Sequence, residues 1–171
     1  MAIVRLTNTY GVLEKNAVVY PRTGNIMAMF GTAINAENGM LLDIDYKTKK
    51  IVLPGEGDVT ALVDSCEKEY YNEHIGLNSY ALGNTNFKPR MGILSVNDRF
   101  TTTTVSYDET EFADVEAISA AIEGGVYGSA HTDGTIIISA TKPSADVILV
   151  AEEIGKMANG EYGIKFAVIK A

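Results

Sequence analysis

The fold class is indicated first by residues 40–53, MLLDIDYKTKKIVL, in which two β-prone runs flank a short polar segment. Residues 40–46 and 50–53 are rich in aliphatic side chains, whereas residues 47–49 are Lys, Thr and Lys. Such runs separated by a few polar residues predict a β-hairpin, here closed by Pro54 and Gly55. The chain is therefore expected to be built around short antiparallel strands.

Similar runs recur on both sides of this hairpin. Residues 59–71 fit a strand and a helix equally well by spacing, and the strand-rich surroundings favour a strand. Two further hairpins are predicted, one with its turn at residues 132–134 (TDG) and one with the Asn159-Gly160 region between its strands. Besides the first hairpin and residues 59–71, we expect strands at residues 17–20, 26–30, 92–96, 101–107, 126–130, 135–139, 146–150 and 164–169.

One segment, residues 112–122, has the apolar spacing of a helix. Thr110 or Asp108 can cap its start, and Gly124-Gly125 ends it. Residues 152–157 either extend the preceding strand or form a second short helix. The predicted fold class is therefore α+β and β-rich, with short antiparallel strands and hairpins and one or two helices.

The charge is distributed unevenly along the 171 residues, whose formal net charge is −8. Residues 1–105 carry ten basic and eleven acidic side chains, and residues 106–171 carry four lysines and eleven acids. This shift suggests an N-terminal β-rich lobe (residues 1–107) and a C-terminal α+β acidic lobe (residues 108–171), with one compact unit as the alternative. The acidic balance argues against direct nucleic-acid binding.

Other compositional features narrow the class of protein. No run of about 18 apolar residues occurs, so no membrane span is expected. The first residues lack the apolar segment of a secretory signal, and a single cysteine, Cys66, excludes an internal disulfide.

Potentially reactive side chains are present, but none stands in a recognisable catalytic or ligating pattern. A histidine near acidic residues but without a second histidine or ligand spacing, a lone cysteine, or a pair of strand carboxylates is more often structural or solvated. Lys88, Arg90 and Arg99 suggest either a local positive patch or solvated strand ends. We therefore predict no catalytic, cofactor-binding or metal site among the groups considered, which are His74, His131, Cys66, Asp43 with Asp45, and Glu152 with Glu153.

Residues 72–90 form a long irregular segment, and loops of that length are often functional. This leaves open a small enzyme or ligand-binding module that uses the segment as a lid over His74 and Tyr80. Activity lost on substitution of His74 would favour that alternative.

Two stretches resemble virion structural proteins of tailed bacteriophages, most closely head (capsid) decoration or auxiliary proteins. They are residues 87–105, FKPRMGILSVNDRFTTTTV, and residues 159–169, NGEYGIKFAVI. The sequence departs from the pattern at Asn97, where a glycine is expected before the aspartate, and at the fourth threonine, Thr104.

The resemblance implies a non-enzymatic protein without cofactors that binds the major capsid protein and stabilises the assembled capsid. It also implies self-association, with a trimer as one arrangement, and a location on the capsid surface of the virion after synthesis in the host cytoplasm. On this interpretation the nearly neutral residues 1–105 dock and the acidic residues 106–171 face outward. A tail, baseplate or head-fibre component is the alternative, although the chain has no heptad segment for a fibre shaft.

Overall fold

The strands of this protein form two sheets. The computed structural model describes residues 2–8, 11–17, 26–27, 31–32, 34, 36–64, 89–157 and 159–171. The strands in the first half of the chain are β1 (Ile3–Arg5), β2 (Leu13–Ala17), β3 (Ile26–Met27), β4 (Gly31–Thr32), β5 (Leu41–Asp45), β6 (Lys50–Val52) and β7 (Val59–Val63). Those in the second half are β8 (Met91–Gly92), β9 (Arg99–Thr102), β10 (Val105–Asp108), β11 (Tyr127–Ala130), β12 (Ile136–Ser139), β13 (Ile148–Lys156) and β14 (Tyr162–Lys170).

The larger sheet has eight strands in the order β1-β10-β12-β11-β13-β14-β9-β2. All neighbours are antiparallel except β10 and β12, which run parallel. The longest pair is β13 with β14, nine residues each, and their connecting turn contains Gly160 at a φ of 83°. Residues 152–156 therefore extend the first strand of this hairpin.

The smaller sheet has six strands in the order β3-β8-β7-β5-β6-β4. Its centre is the hairpin predicted from residues 40–53, with Ile44 opposite Ile51. Strand β7 pairs with the other side of β5, so the strand interpretation is confirmed for residues 59–63. The rest of that ambiguous stretch, residues 65–71, lies outside the described residues.

Alternation along β5 and β7 divides the buried apolar side chains into two clusters. Leu41 and Leu62, which are opposite one another, belong to the cluster that the eight-stranded sheet builds with Phe100, Phe166 and Ile136. The alternate side chains of β5 and β7, which face the other side of the smaller sheet, belong to a second cluster. This cluster contains Ala36, Met40, Leu42, Ile44, Ile51, Ala61, Val63 and Met91. Because successive strand residues face opposite sides, the smaller sheet is apolar on both faces.

The one α-helix in the described residues, α1, spans Val115–Ala121 and buries Ile118. Asp114 caps it by accepting a 2.8 Å hydrogen bond from the Ala117 N–H. The expected caps were wrong, since Asp108 instead accepts from the N–H and hydroxyl of Thr110, in a turn that precedes the helix. A 3₁₀ turn, Ile122–Gly124, continues α1, and Gly125 follows at a φ of 97°, so the predicted glycine stop is confirmed.

Two predicted strands differ from the structure. The expected strand at residues 92–96 ends at Gly92, because the following residues form a turn in which Asp98 accepts a hydrogen bond from the Ser95 N–H. The expected strand at residues 101–107 is divided into β9 and β10, which have different neighbours in the same sheet. Buried Thr103 and Thr104 separate them: Thr103 Oγ1 accepts from the Val12 N–H, and Thr104 Oγ1 donates to the Asn38 carbonyl.

The remaining strand predictions are confirmed apart from their first residues, since residues 126, 135, 146 and 147 precede the observed strands. The hairpin of β11 and β12 has the expected turn, in which Gly134 has a φ of 89°. Residues 148–150 and 164–169 lie in β13 and β14. Residues 18–20 and 28–30 of the earliest expected strands lie outside the described residues, although Ala17 ends β2 and residues 26–27 form β3.

The change in composition near residue 107 does not separate two sheets. Strand β10 crosses that position, and the eight-stranded sheet combines strands from both sides of it. The fold is therefore β-rich, with both charge regions sharing one hydrogen-bonded framework.

Candidate functional site

A concavity in the described residues lies between the two sheets, and we call it the intersheet crevice. It consists of two adjoining cavities of about 210 and 270 Å³ that share Thr60, Asp146 and Val147. The smaller sheet and its loops contribute Asp43, Pro54, Gly55, Gly57, Asp58, Val59, Thr60, Ile93 and Leu94. The opposite side is formed by Ala130, Thr132, Ala145, Asp146, Val147 and Ala171.

Asp43 forms a polar part of the crevice wall but is fully engaged within the chain. Its side chain is 4% exposed, and Oδ1 accepts a 2.7 Å hydrogen bond from the Thr60 hydroxyl. Oδ2 accepts from the N–H groups of Gly55 at 2.7 Å and Gly57 at 3.3 Å. A buried carboxylate needs such donors to offset its desolvation, so Asp43 fixes the loop between β6 and β7.

The two other carboxylates of the crevice are less engaged. Asp58 Oδ2 accepts a 3.0 Å hydrogen bond from the Tyr46 N–H. Asp146 is exposed, and no donor in the described part of the chain reaches its carboxylate. The ammonium group of Lys170 lies at the rim, where its Nζ donates to the carbonyl of Ala145. The crevice therefore combines a fixed wall with acidic groups that face solvent.

Apolar side chains complete the crevice. Leu94 and Val147 are almost completely buried, and Val59 is half-buried at the start of β7. Leu94 reaches this position because the chain leaves the smaller sheet after Gly92, which is the same departure that ends the expected strand at residues 92–96. A concave surface with apolar walls and a few polar groups is the usual composition of a binding site.

The acidic excess is more localised than the division at residue 105 suggests. Residues 100–141 contain seven carboxylates and no lysine or arginine, whereas residues 1–99 have a net charge of −1 and residues 142–171 are neutral. Six of the seven carboxylates are exposed, five of them between Glu109 and Glu123 around α1. The remaining exposed one, Asp133, lies in the β11–β12 turn next to the crevice residue Thr132.

His131, the one histidine in the described residues, forms a hydrogen-bonded pair with the carboxylate of Asp133. His131 Nδ1 is 2.9 Å from Asp133 Oδ1, at the surface. Burial raises the pKa of Asp133, but hydrogen bonds from the hydroxyl and N–H of Thr135 and from His131 outweigh it and lower that pKa below its usual value. The pair stabilises the turn.

The acid pair Glu152 and Glu153 lies at a β-bulge in β13. Glu152 forms ion pairs with Arg99 at 2.8 Å and Lys165 at 3.6 Å. Arg99 is thus engaged by a carboxylate of its own chain, which contradicts the interpretation of Arg99 as part of a free positive patch. Asp45, the partner of Asp43 in the other pair, accepts hydrogen bonds from Thr48 and the Lys47 N–H in the β5–β6 turn.

Several residues selected from the sequence lie outside the described residues: Cys66, His74, Tyr80 and Lys88, together with residues 72–88 of the long segment. Within the described ranges, no group of three or more His, Cys, Asp or Glu side chains is placed to hold a metal ion. No helix in those ranges is long and apolar enough to cross a membrane.

The crevice was not predicted from the sequence, because its lining comes from six separate segments. The only local signal was the turn chemistry of Pro54-Gly55 and Thr132-Asp133-Gly134, which marks two of its walls. No protein family, curated protein or solved structure matches the chain.

Proposed function

We propose that this protein is a non-enzymatic virion structural protein of a tailed bacteriophage that binds the assembled capsid as a head decoration protein. The proposal rests on the resemblance carried by residues 87–105 and 159–169. In the structure, the described parts of these stretches are neighbours. Strand β9 pairs with β14, placing Phe100 opposite Phe166 and Thr102 opposite Ile164.

The turn between β8 and β9 joins the two stretches a second time. The Asn97 N–H donates to the Val168 carbonyl at 2.9 Å, and the Val168 N–H donates to the Asp98 carbonyl at 2.9 Å. Two distant stretches that resemble the same group of proteins thus form one structural unit, as expected if the resemblance reflects a shared architecture.

Asn97 supports the same interpretation. It stands where the decoration-protein pattern has a glycine, and its φ is 79°, in the left-handed region that glycine favours. Asparagine is among the non-glycine residues that adopt this conformation most readily. The departure at residue 97 is therefore compatible with the same turn.

The proposed orientation on the capsid differs from the one expected from the sequence. The division into docking residues 1–105 and outward residues 106–171 does not follow a structural boundary, because both ranges contribute strands to the eight-stranded sheet and both line the intersheet crevice. The location of individual carboxylates is a better guide. We assign the acidic surface around α1, residues 109–123, to the solvent side, and the intersheet crevice to the side that contacts the capsid.

Decoration requires only modest contacts at each site. When a protomer or a small oligomer engages several sites of a symmetric lattice, the effective concentration makes binding much tighter than each single contact. Self-association, with a trimer as one arrangement, fits this requirement and is part of the proposal.

The test is a mixing experiment with expanded heads that lack the protein and with unexpanded heads as the control. We expect saturable co-sedimentation with expanded heads, at a ratio set by the lattice, and detection of the protein in purified virions by mass spectrometry. Failure to bind expanded heads together with absence from virions would overturn the proposal. Recovery with isolated tails would favour the tail alternative instead.

A further inference from the structure

We propose that the intersheet crevice binds a lysine- or arginine-bearing segment of the partner protein. This inference rests on the proposed function, because it takes the partner to be the major capsid protein. The occupant is inferred from the charge and shape of the crevice.

Each of the two adjoining cavities has a size suited to a long side chain. A cavity of 210 Å³ holds about seven waters at the volume that each occupies in the liquid. The apolar side chains of Val59, Leu94 and Val147 line it and favour an aliphatic stem. Lysine and arginine have such stems, which pack along apolar surfaces while their charged ends stay near water.

The charge of the crevice selects a cation. Its ionisable side chains are Asp43, Asp58 and Asp146, and no lysine, arginine or histidine is among its lining residues. Asp43 is buried and already accepts from three donors of its own chain, so Asp58 Oδ1 and the Asp146 carboxylate are the groups available to a ligand. Asp133, beside the rim residue Thr132, adds to the negative potential, and carboxylates of this kind are repulsive to an acidic segment.

The chain itself places one ammonium group at the rim. Lys170 Nζ donates to the Ala145 carbonyl, which shows that backbone oxygen of this wall accepts a hydrogen bond from a cation. Lys170 does not line either cavity, so a second cation can enter between Asp58 and Asp146. The positive charge of Lys170 reduces the attraction between the crevice and a second cation. We therefore expect weak binding at each crevice, strengthened by repetition on the lattice.

The experiment uses the full chain and two short peptides, acetyl-Lys-Leu-Lys-amide and its control acetyl-Glu-Leu-Glu-amide. Binding is followed by two-dimensional NMR of the isotopically labelled protein at low and high salt. We expect the lysine peptide to cause saturable shifts at Thr60, Ala145 and Val147 that weaken as salt is added, and the glutamate peptide to cause none. Shifts spread over the surface around α1, or equal shifts with both peptides, would overturn the inference.

Two variants of equal charge change separate a specific site from general attraction to an acidic protein. D58N/D146N removes the two available carboxylates, and we expect about five-fold weaker peptide binding, as for exposed ion pairs. Asparagine keeps an oxygen that can accept from the Tyr46 N–H, so the fold is expected to persist. E109Q/E116Q removes two exposed carboxylates outside the crevice and should bind as the unmodified protein does. Equal weakening in both double variants would contradict a site in the crevice.

The same variants distinguish failure of this inference from failure of the proposed function. If the protein binds expanded heads but D58N/D146N binds them equally well, the decoration role stands and the crevice is not the contact. If the peptide binds the crevice but the protein binds no heads and is absent from virions, the crevice accepts a basic segment of another partner and the decoration role fails.

Discussion

Phe100 and Phe166 lie opposite one another on β9 and β14, with ring centroids 6.0 Å apart and an angle of 45° between the ring planes. Both side chains are fully buried in the cluster that joins the two sheets. Tilted aromatic pairs at this separation are favourable beyond the area that they bury. The pair therefore anchors the two strands on which the proposed architecture depends.

Replacing Phe166 with alanine is expected to lower the free energy of unfolding by about 3–5 kcal/mol, because a large cavity forms in a closed core. Urea denaturation of the two proteins measures the difference. Ile169→Ala, three residues later at a 37% exposed position, is the control and should cost about 0.5 kcal/mol or less. Similar losses for both variants would show that the Phe100–Phe166 contact is not a major part of the core.

Replacing Asp43 with alanine leaves the N–H groups of Gly55 and Gly57 and the Thr60 hydroxyl without their acceptor. We expect a loss of about 2–4 kcal/mol in the free energy of unfolding, because buried donors are costly when unpaired. Thr60→Val should cost less, since it removes one donor, and Thr60→Ser should be milder still because it keeps the hydroxyl. A neutral Asp43→Ala would mean that water replaces the carboxylate.

Gly134 and Gly55 offer a matched pair, because both have a φ of 89°. An added Cβ at Gly134 would lie 2.6 Å from Leu42 Cδ2, whereas nothing lies within 4 Å of one at Gly55. Leu42 is fully buried and cannot move freely. Gly55→Ala should therefore cost about 1–2 kcal/mol from backbone conformation alone, and Gly134→Ala clearly more. Equal costs in thermal or urea unfolding would show that the core around Leu42 adjusts.

Asp114→Ala is expected to cost about 1 kcal/mol, because it removes the side-chain acceptor that caps α1. Asp114→Asn should recover most of this, since its amide oxygen can accept from the Ala117 N–H. Glu116→Ala, within the same turn, is the control. If Asp108→Ala had the larger effect on helix content by circular dichroism, the cap predicted from the sequence would be the better assignment.

Stability should fall in acid because hydrogen bonds lower the pKa of three aspartates. The Thr48 hydroxyl has the largest effect on the pKa of Asp45, and the Thr110 N–H on that of Asp108; at Asp133 the hydrogen bonds of Thr135 and His131 outweigh burial. A carboxylate with a lowered folded-state pKa stabilises the fold above its unfolded-state value of 3.8. That contribution is lost as the pH falls from there through the folded-state pKa.

The measurement is the urea midpoint between about pH 6 and about pH 2. Asp133→Asn should make the midpoint less dependent on pH in this range, since one of the three groups no longer titrates. Glu116→Gln removes an exposed carboxylate without such hydrogen bonds and is the matched control. An unchanged profile for Asp133→Asn would exclude a contribution of the Thr135 and His131 contacts to acid stability.

The parts of the fold that local chemistry determines could be predicted from the sequence. The hairpin at residues 40–53 and the hairpin turned at Gly134 follow from β-prone runs around turn residues. The break at Thr103 and Thr104 could not be predicted, because four β-branched threonines favour a continuous strand. It arises where the Val12 N–H and the Asn38 carbonyl, both distant in sequence, bond to threonine hydroxyls.

The candidate site was less accessible to sequence reasoning than the strands. Asp43 and Asp45 look alike as alternate residues of one strand, yet Asp43 is buried among three donors and Asp45 caps an exposed turn. Both lie on the same face of β5, but the N–H groups of Gly55 and Gly57 reach only Asp43, whereas Asp45 accepts from its own turn. Asp146 belongs to a distant segment, and only the packing of the two sheets brings it to Thr60.

Strand β9 has neighbours from far apart in the chain, β2 on one side and β14 on the other. The hydrogen bond from the Val12 N–H to Thr103 Oγ1 alone spans 91 positions. Such closures cost chain entropy before the contacts they permit repay it, so β-rich chains with distant pairings fold slowly. We infer that the local hairpins of β5 with β6 and β11 with β12 form first. The pairing of β9 with β2 and β14 would then set the rate at which newly made copies complete the eight-stranded sheet.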